Sequence, residues 1–479
     1  MLSGSWIFLC LGGSRMFKIS NHHFPKSIIL LLIAETLVLL LSVYIGARVR
    51  FYEDRTLWDN LGQFIAPALV FTAAMLFSMS AFGMYQNQVN TKLRFILLRI
   101  APVYVMGFCL ISVAFFLLPS YQIGRGVLGL VFGFSCVGLL VTRFIFFKSS
   151  QSSMFESKVL FLGAGELARD CRDLAQSRGT SRKYNVLGYV AVGVDELCIP
   201  AASLLKKQST LYETARQHGA TEVVVALQNK RGVSFPIEEL LECKLKGIEI
   251  TDSALFFERE ACQIRVNSFQ PSWLVFGSGF DQSFSRAFCK RAFDLSVSAV
   301  LATIAAPIAA VTALLIYLED RGPVLYSQER VGFGGKPYLV YKFRSMRINA
   351  EQSGTPQWAT LNDPRITRVG AIIRKLRIDE LPQIFNVLLG EMSFVGPRPE
   401  RPFFVSDLCK QIPYYDVRHS IKPGITGMAQ VRYEYGASLE DAVQKLQYDL
   451  YYVKNNSLFL DVLIMIETIQ VVLLGKGAR

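Results

Sequence analysis

Asp379 and Glu380 sit side by side in Arg377-Ile-Asp-Glu-Leu-Pro-Gln-Ile-Phe-Asn, just ahead of a helix that the sequence starts near Pro382. Cations crowd in from both directions: Arg374, Lys375 and Arg377 upstream, Arg398 and Arg401 downstream. On a helix, adjacent residues point about 100° apart, so the two acids do not suit a facing dyad that shares a proton. Separate tasks fit better. An aspartate with an ordinary pKa of about 3.9 is ionised at neutral pH and can attack phosphorus to give an acyl phosphate. A glutamate beside it can hold Mg²⁺ against a diphosphate, since Mg²⁺ takes one or two carboxylates plus phosphate oxygens. Proline is accepted in a first helical turn, which places both acids near a positive helix end where phosphate is also welcome. Helix capping by Asp379 explains the pair equally well, and the pair alone leaves both readings open.

The surroundings add a pocket-like pattern. Residues 321–401 carry 13 Lys/Arg against 7 Asp/Glu. The cations fall in tight groups: Gln328-Glu-Arg330-Val-Gly332, Tyr341-Lys342-Phe-Arg344-Ser-Met-Arg347, and Asp363-Pro-Arg365-Ile-Thr-Arg368. A plain solvated basic face is the ordinary meaning of a charge run. Interleaving with Gly, Pro and aromatics suits a shaped pocket better, and arginine forks match phosphate oxygens bidentately. The four histidines are two neighbours, His22 and His23, and two isolated ones, His218 and His419, which argues against histidine chemistry. The nine cysteines include no C-x-x-C pair, which argues against a disulfide framework or a zinc site.

The chain that must position these residues has 479 of them, is 51% hydrophobic and 19% charged, and carries a formal net charge of +13. That length calls for two or three domains, and that composition for a membrane protein facing anionic headgroups or phosphorylated substrates. Nucleic acid would also suit the charge, but no zinc-finger spacing, basic zipper or RNA-binding aromatic motif is present. Apolar stretches at about 27–47, 62–84, 97–118 and 124–147 are each long enough to cross a bilayer as helices. Arg48 and Arg50 follow the first, with no small-residue cleavage site, so it reads as a retained span rather than a signal peptide. Lys92, Arg94, Arg99 and Lys148 place both ends of this four-span bundle in the cytoplasm, although the arginines of the 48–60 loop then face outward.

After the Ser-rich linker Lys148-Ser-Ser-Gln-Ser-Ser, strand and helix patterns alternate from 159 to 250, which predicts a parallel sheet with helices on both faces, a Rossmann-like α/β domain over 151–265. Its first turn, Gly163-Ala-Gly165-Glu-Leu-Ala168, allows close approach of a phosphate, or is simply a tight turn with no ligand. No acidic residue ends the second strand, which weighs against a dinucleotide. A second linker is expected at 266–285 and a catalytic α/β domain over 286–479. Its helix 290–318 is long enough to span, but Pro307 divides the apolar run into halves of about 12 residues, roughly 18 Å each, against a hydrocarbon core of about 30 Å. If it crossed, the α/β domain and the acid pair would face opposite compartments. A bent, re-entrant helix is therefore favoured over a Pro-kinked fifth span. Leu458 to Leu474 contains Asp461, Glu467 and Gln470 and suits an interfacial or packing helix rather than a span.

Taken together, Lys290-Arg291…Asp294, Pro307, Gly322-Pro-Val…Gln328-x-Arg330-x-Gly332, Tyr341-Lys-Phe-Arg344-Ser-Met, Asp363-Pro-Arg-Ile-Thr, Asp379-Glu-Leu-Pro-Gln, Gly396-Pro-Arg-Pro and Lys422-Pro-Gly-Ile-Thr-Gly resemble the bacterial sugar transferase family, the monotopic polyprenyl-phosphate phosphoglycosyl transferases. The four apolar stretches and the middle α/β domain resemble its long-form members, and Val431-Arg-Tyr-Glu-Tyr-Gly-Ala-Ser is similar to members linked to exopolysaccharide export. The resemblance implies transfer of a sugar 1-phosphate from a UDP-sugar to undecaprenyl phosphate with release of UMP, at the bacterial inner membrane. It implies Asp379 as covalent nucleophile, Glu380 as the Mg²⁺ ligand, and Arg374, Arg398 and Arg344 at phosphates. Lys342, Gln328 and Arg330 are the further substrate-binding candidates. Membrane lipids, other glycan-assembly proteins and a second copy in a homodimer complete the expected partners. Met428 stands where the family usually has Trp; it fills apolar space without the indole N–H or flat face. An oxidoreductase or epimerase built on the middle domain lacks a Tyr-x-x-x-Lys pair near the glycine turn. A non-catalytic scaffold leaves the acid pair without a use.

Overall fold

The computed structural model describes residues 16–19, 22–52, 61–85, 93–150, 157–176, 184–192, 198–227, 235–266, 279–280, 283–348, 365–433, 436 and 438–473. The Ser-rich linker from 151, most of the 266–285 linker, and Asp363 lie outside them. The chain divides into two compact units, Met1–Ala261 and Cys262–Arg479. Three domains were expected; the N-terminal helices and the parallel sheet both fall in the first unit.

A short hairpin, β1 (Met16–Ile19) with β2 (His22–Pro25), leads into four helices: α1 (Lys26–Arg50), α2 (Ile65–Ala81), α3 (Leu93–Leu117) and α4 (Arg125–Ser150). Each contains a stretch long and apolar enough to cross a membrane. Two glycines let α1 and α4 close on each other. A Cβ on Gly138 would stand 2.5 Å from Val38 Cγ1, and one on Gly46 would stand 2.8 Å from Val131 Cγ2. Small residues at such crossings let helix backbones approach where no hydrophobic gain separates lipid from protein. Between the same helices lies a feature that the apolar pattern hid. Arg143 is 1% exposed and Glu35 0%, and they pair through Nε–Oε1 at 2.5 Å and Nη2–Oε2 at 3.1 Å. Arg143 Nη1 also donates to Met84 O at 2.6 Å, beyond the end of α2.

The sheet that follows is parallel, in the order β4 (Tyr184–Val190), β3 (Ser157–Leu162), β5 (Glu222–Val225), β6 (Glu249–Asp252). Its alternation sorts the helices. Val159, Phe161 and Val224 pack on one face with α5 (Glu166–Gln176) and with α8 (Ser253–Ala261), a helix the sequence pattern did not reveal. Leu160, Leu162, Val223 and Val225 pack on the other with α6 (Leu211–Gln217) and α7 (Ile237–Leu245).

The second unit opens on α9 (Phe284–Asp320), which stays helical through Pro307. An antiparallel hairpin follows, β7 (Leu325–Val331) with β8 (Pro337–Phe343). Then come α10 (Arg368–Lys375), α11 (Gln383–Leu389) and β9 (Ser393–Val395). They are followed by α12 (Pro402–Gln411), β10 (Gly424–Thr426) parallel to β9, α13 (Met428–Arg432), α14 (Leu439–Asn455) and α15 (Leu458–Leu473). One core joins Val340, Val387, Phe394, Val395, Tyr451, Tyr452, Leu460 and Ile464. Met428, 1% exposed, belongs to it, so the departure from Trp is a core substitution. The acids in α15 are used: Asp461 pairs with Lys290 at 2.8 Å and Glu467 with Arg432. α15 therefore packs on the unit, as its polar residues suggested.

Both ends of α9 grip this unit. Near its start, Lys290 Nζ donates to Asp461 and to Val395 O, Arg291 caps the carbonyls of Val387 and Leu388, and Asp294 accepts from Ser393 Oγ and Phe394 N. At its end Asp320 pairs with Arg344, and Glu319 accepts the Arg368 amide at 2.7 Å and the Val369 amide at 3.2 Å, at the N-terminus of α10.

The buried Arg143–Glu35 pair yields a stability prediction. Arg143→Met strands the carboxylate and should cost about 3–5 kcal/mol. Glu35→Leu added to it should recover most of that loss, read as the unfolding midpoint of the detergent-purified protein. A double variant no better than the single one would show that the helices need the charges themselves.

Candidate active site

The acid pair owes its position to the end of α10. Thr367 caps that helix, its hydroxyl accepting from Gly370 N at 2.9 Å. At the other end Arg377 adopts a left-handed backbone, φ 58°. That region favours glycine after a helix and costs a non-glycine residue about 1–2 kcal/mol. The turn redirects the chain into a 3₁₀ turn, Ile378–Glu380, and Pro382 then starts α11. Asp379 caps no helix; the N-cap position of α11 is Pro382, without a side-chain cap.

Glu380 is 9% exposed and is held by cations from three stretches of chain. Lys342 Nζ, from β8, lies 3.1 Å from its Oε1; Arg398 Nη2, from the loop after β9, lies 3.2 Å from the same oxygen; Arg377 Nη1 lies 3.8 Å from Oε2. Burial alone would raise the Glu380 pKa, but Lys342, Arg398 and Arg377 outweigh it and hold the carboxyl well below its usual range. Its neighbour behaves oppositely. Burial, then the Glu380 charge, hold Asp379 above its ordinary value against the pull of Lys342, Arg374 and Arg377. Lys342 is pulled down by burial first, with Arg398 adding to it and Glu380 opposing. Two adjacent carboxyls are thus driven apart, one firmly ionised and one readier to hold a proton, which marks separate roles.

Asn386 ties the two sides of this site together. Its Oδ1 accepts from Tyr341 N at 3.1 Å and its Nδ2 donates to Leu339 O at 2.6 Å and to Glu391 Oε2 at 2.7 Å. It is fully buried, and it fixes β8, hence Lys342, against α11. Nothing in the sequence pattern marked it, because a single Asn on an apolar helix reads as a surface residue.

The structure brings Lys342 and Arg398 onto Glu380, and the charges of Lys342 and Arg374 act on Asp379 beside it. Gln328 and Arg330 act one step away: Gln328 Oε1 accepts from Arg330, whose Nη1 donates to Pro399 O at 3.1 Å. Arg344 is engaged with Asp320, while its buried Nε and Nη1 have no hydrogen-bond partner among the described residues. Gly163 has a structural reason of its own. Its φ is 120°, and a Cβ there would meet Ala226 O at 2.4 Å. Close packing of strand ends therefore requires this glycine whether or not a ligand binds. Gly165 immediately precedes α5, whose first residue is the acidic Glu166, and an acid there disfavours a phosphate.

Among the described residues no three His, Cys, Asp or Glu side chains gather as a metal cluster. The carboxylate a metal ion would need there is Glu380, which fits a Mg²⁺ site of the kind that uses one or two protein carboxylates.

A family model described as bacterial sugar transferase matches residues 285–475. The UDP-N-acetylgalactosamine-undecaprenyl-phosphate N-acetylgalactosaminephosphotransferase of Aeromonas hydrophila is 51% identical over 193 residues, 40% of this chain and 45% of that protein, so the match spans less than half the relative's length. The undecaprenyl-phosphate galactose phosphotransferase of Salmonella typhimurium is 30% identical over 361 residues, 69% of this chain and 71% of that protein. The exopolysaccharide production protein PSS of Rhizobium leguminosarum is 44% identical over 198 residues, 39% of this chain and 97% of that protein.

The network around Asn386 gives a direct test of how the site is braced. Asn386→Ala leaves Tyr341 N and Leu339 O without their buried partner, and should cost about 2–4 kcal/mol in a denaturant melt of the second unit's signal. A loss under about 0.5 kcal/mol would mean that β8 is fixed by other contacts.

Proposed function

The chain belongs to the bacterial sugar transferase family, and from that premise we propose that it moves a sugar 1-phosphate from a UDP-sugar to undecaprenyl phosphate, releasing UMP. The observation that carries the reading is the held acid pair: Glu380 with Lys342 at 3.1 Å, Arg398 at 3.2 Å and Arg377 at 3.8 Å, directly beside Asp379. In the proposed reaction Asp379 Oδ attacks the phosphorus that bears the sugar. The bond to the UMP oxygen breaks, UMP leaves with the electron pair, and an acyl phosphosugar forms on Asp379. An oxygen of undecaprenyl phosphate then attacks the same phosphorus and frees Asp379, giving undecaprenyl-diphosphate-sugar. Each step exchanges one high-energy phosphoryl linkage for another, so no further energy source is required.

Glu380 is the residue that would hold Mg²⁺, which when bound supplies charge neutralisation on the diphosphate. Arg398 and Lys342 keep Glu380 ionised and face the incoming phosphates, with Arg374 beside Asp379. Arg344, with two buried nitrogens lacking a hydrogen-bond partner among the described residues, is the further candidate for a phosphate oxygen. Relatives are named for N-acetylgalactosamine, galactose and glucose, so the donor is assigned as a UDP-hexose class. A first membrane step of exopolysaccharide assembly at the inner membrane is the setting we propose.

The chain is a membrane protein, and α9 supports a one-sided arrangement. A straight helix would separate Arg291 from Asp320 by about 43 Å at 1.5 Å per residue. Their partners lie close together: Arg291 bonds to Val387 and Leu388, Asp320 pairs with Arg344, and Tyr341, three residues before Arg344, donates its amide to Asn386, next to Val387. A bend at Pro307 would bring the two ends together in this way. The helix then enters and leaves on the cytoplasmic face, and its outward apolar residues Val300, Ile304, Val311 and Leu314 face lipid.

Asp379→Asn should abolish UMP release from UDP-sugars; near-wild-type turnover would remove Asp379 as nucleophile. In the wild type the attacking carboxyl must be ionised and its pKa is raised. Single-turnover UMP release should therefore fall on acidification with an apparent pKa above the ordinary value of about 3.9. Glu380, held low, stays charged through that range, and an acid limb at or below the ordinary value would contradict the assignment. Single cysteines replacing Ser285 and Arg321 in a cysteine-depleted background should both label from the cytoplasmic side. Labelling of the second from the periplasm alone would establish a crossing helix.

A further inference from the structure

The loop that carries Arg398, Gly396-Pro-Arg-Pro-Glu400, has little means of holding itself, because its two prolines lack amide donors. Its carbonyls are instead met by donors from elsewhere in the unit. Gly424 N donates to Pro397 O at 3.0 Å, Arg418 Nη2 to Arg398 O at 2.8 Å, Arg330 Nη1 to Pro399 O at 3.1 Å, and Val331 N to Glu400 O at 2.9 Å. Four consecutive carbonyls are therefore fixed, and the one belonging to Arg398 itself is fixed by Arg418.

Arg418 is built to stay where it is. It is 6% exposed, donates Nη1 to the Tyr415 hydroxyl, and is ion-paired at 2.8 Å with Asp449 Oδ2 on α14, an oxygen that accepts no hydrogen bond from the described residues. Asp449 is 1% exposed. A buried ion pair is a poor source of net stability, since hydrophobic replacements often do as well. This one has a further output, a bond to the backbone of the residue whose side chain reaches Glu380.

We propose that Arg418, oriented by Asp449, is a positioning residue that fixes the Arg398 backbone and so aims the Arg398 guanidinium at Glu380 and the transferred phosphate. Its catalytic consequence rests on the transfer reaction proposed above; its structural consequence does not. Misplacement of a catalytic group by about 1 Å can cost as much as a hundredfold in rate.

The test uses the full chain in detergent, with two readouts. The first is hydrogen exchange of the Gly424 and Val331 amides, which donate to this loop; Arg418→Gln should quicken both while leaving the β3–β6 sheet unchanged. The second is a double-mutant cycle with Arg398→Gln on UMP release. Arg418→Gln should slow the wild type about tenfold or more but change the Arg398→Gln variant less than about threefold, because residues that act through one another are not additive. Unchanged exchange, or two effects that multiply in full, would overturn the proposal. If Arg418→Gln does not fold, Asp449→Asn enters both measurements with the same expected directions and the same overturning results. A wild type that releases no UMP would sink the transfer reading, and the exchange readout would still decide the positioning.

Discussion

Glu380 is a buried carboxylate that cannot stay charged by itself. Desolvation would neutralise it, and Lys342, Arg398 and Arg377 prevent that. These cations come from β8, from the loop after β9 and from the end of α10, so the hairpin, the parallel strand pair and the helix turn must all assemble for Glu380 to stay ionised once buried. Removing one partner of such a cluster leaves an uncompensated buried charge, which is costly. The same charge acts on Asp379. Burial first, and then the fixed Glu380 charge, make its neighbour less willing to ionise, and the two carboxyls differ within one short turn.

Helix α9 and the acid pair are held by one connected set of contacts. Lys290 and Tyr452 both donate to Val395 O, the last residue of β9 and the one before the Arg398 loop begins. Glu319 caps α10, whose far end makes the left-handed turn into Ile378–Glu380. The start of α9 is therefore bonded to the strand that leads to Arg398, and its end to the helix that leads to the acid pair. The braces consist of buried hydrogen bonds and ion pairs, which work as constraints because an unmade one is expensive.

Much of this was legible in the residues. The length of the apolar runs located the four N-terminal helices, strand–helix alternation located the parallel strands, and three polar residues in an apolar run marked α15 as a packing helix. The acid pair and its cations were visible as a local cluster, since they lie within about thirty residues of one another, Lys342 apart. The particular partners were not visible. Arg330 and Arg344 carry the same charge as Arg398, yet they bond to the Pro399 carbonyl and to Asp320; only the fold decides which cation meets which anion. Glu35 and Arg143, 108 residues apart, gave no local signal within apolar helices. Gly163 looked like a phosphate turn, and its strand contact at Ala226 shows how packing produces the same pattern. Asn386 and Arg418 were silent because a buried hydrogen-bond hub is defined by the backbone atoms it meets.

The central claim is that Asp379 becomes covalently loaded. The most direct measurement is to mix the purified protein with a UDP-sugar and Mg²⁺ in the absence of undecaprenyl phosphate, quench in acid, and record UMP and the mass of the Asp379 peptide. We expect a burst of UMP no larger than one per active site, together with a single sugar-phosphate adduct on that peptide that disappears when undecaprenyl phosphate is added. UMP formed only in the presence of undecaprenyl phosphate, with the Asp379 peptide unmodified, would contradict the account.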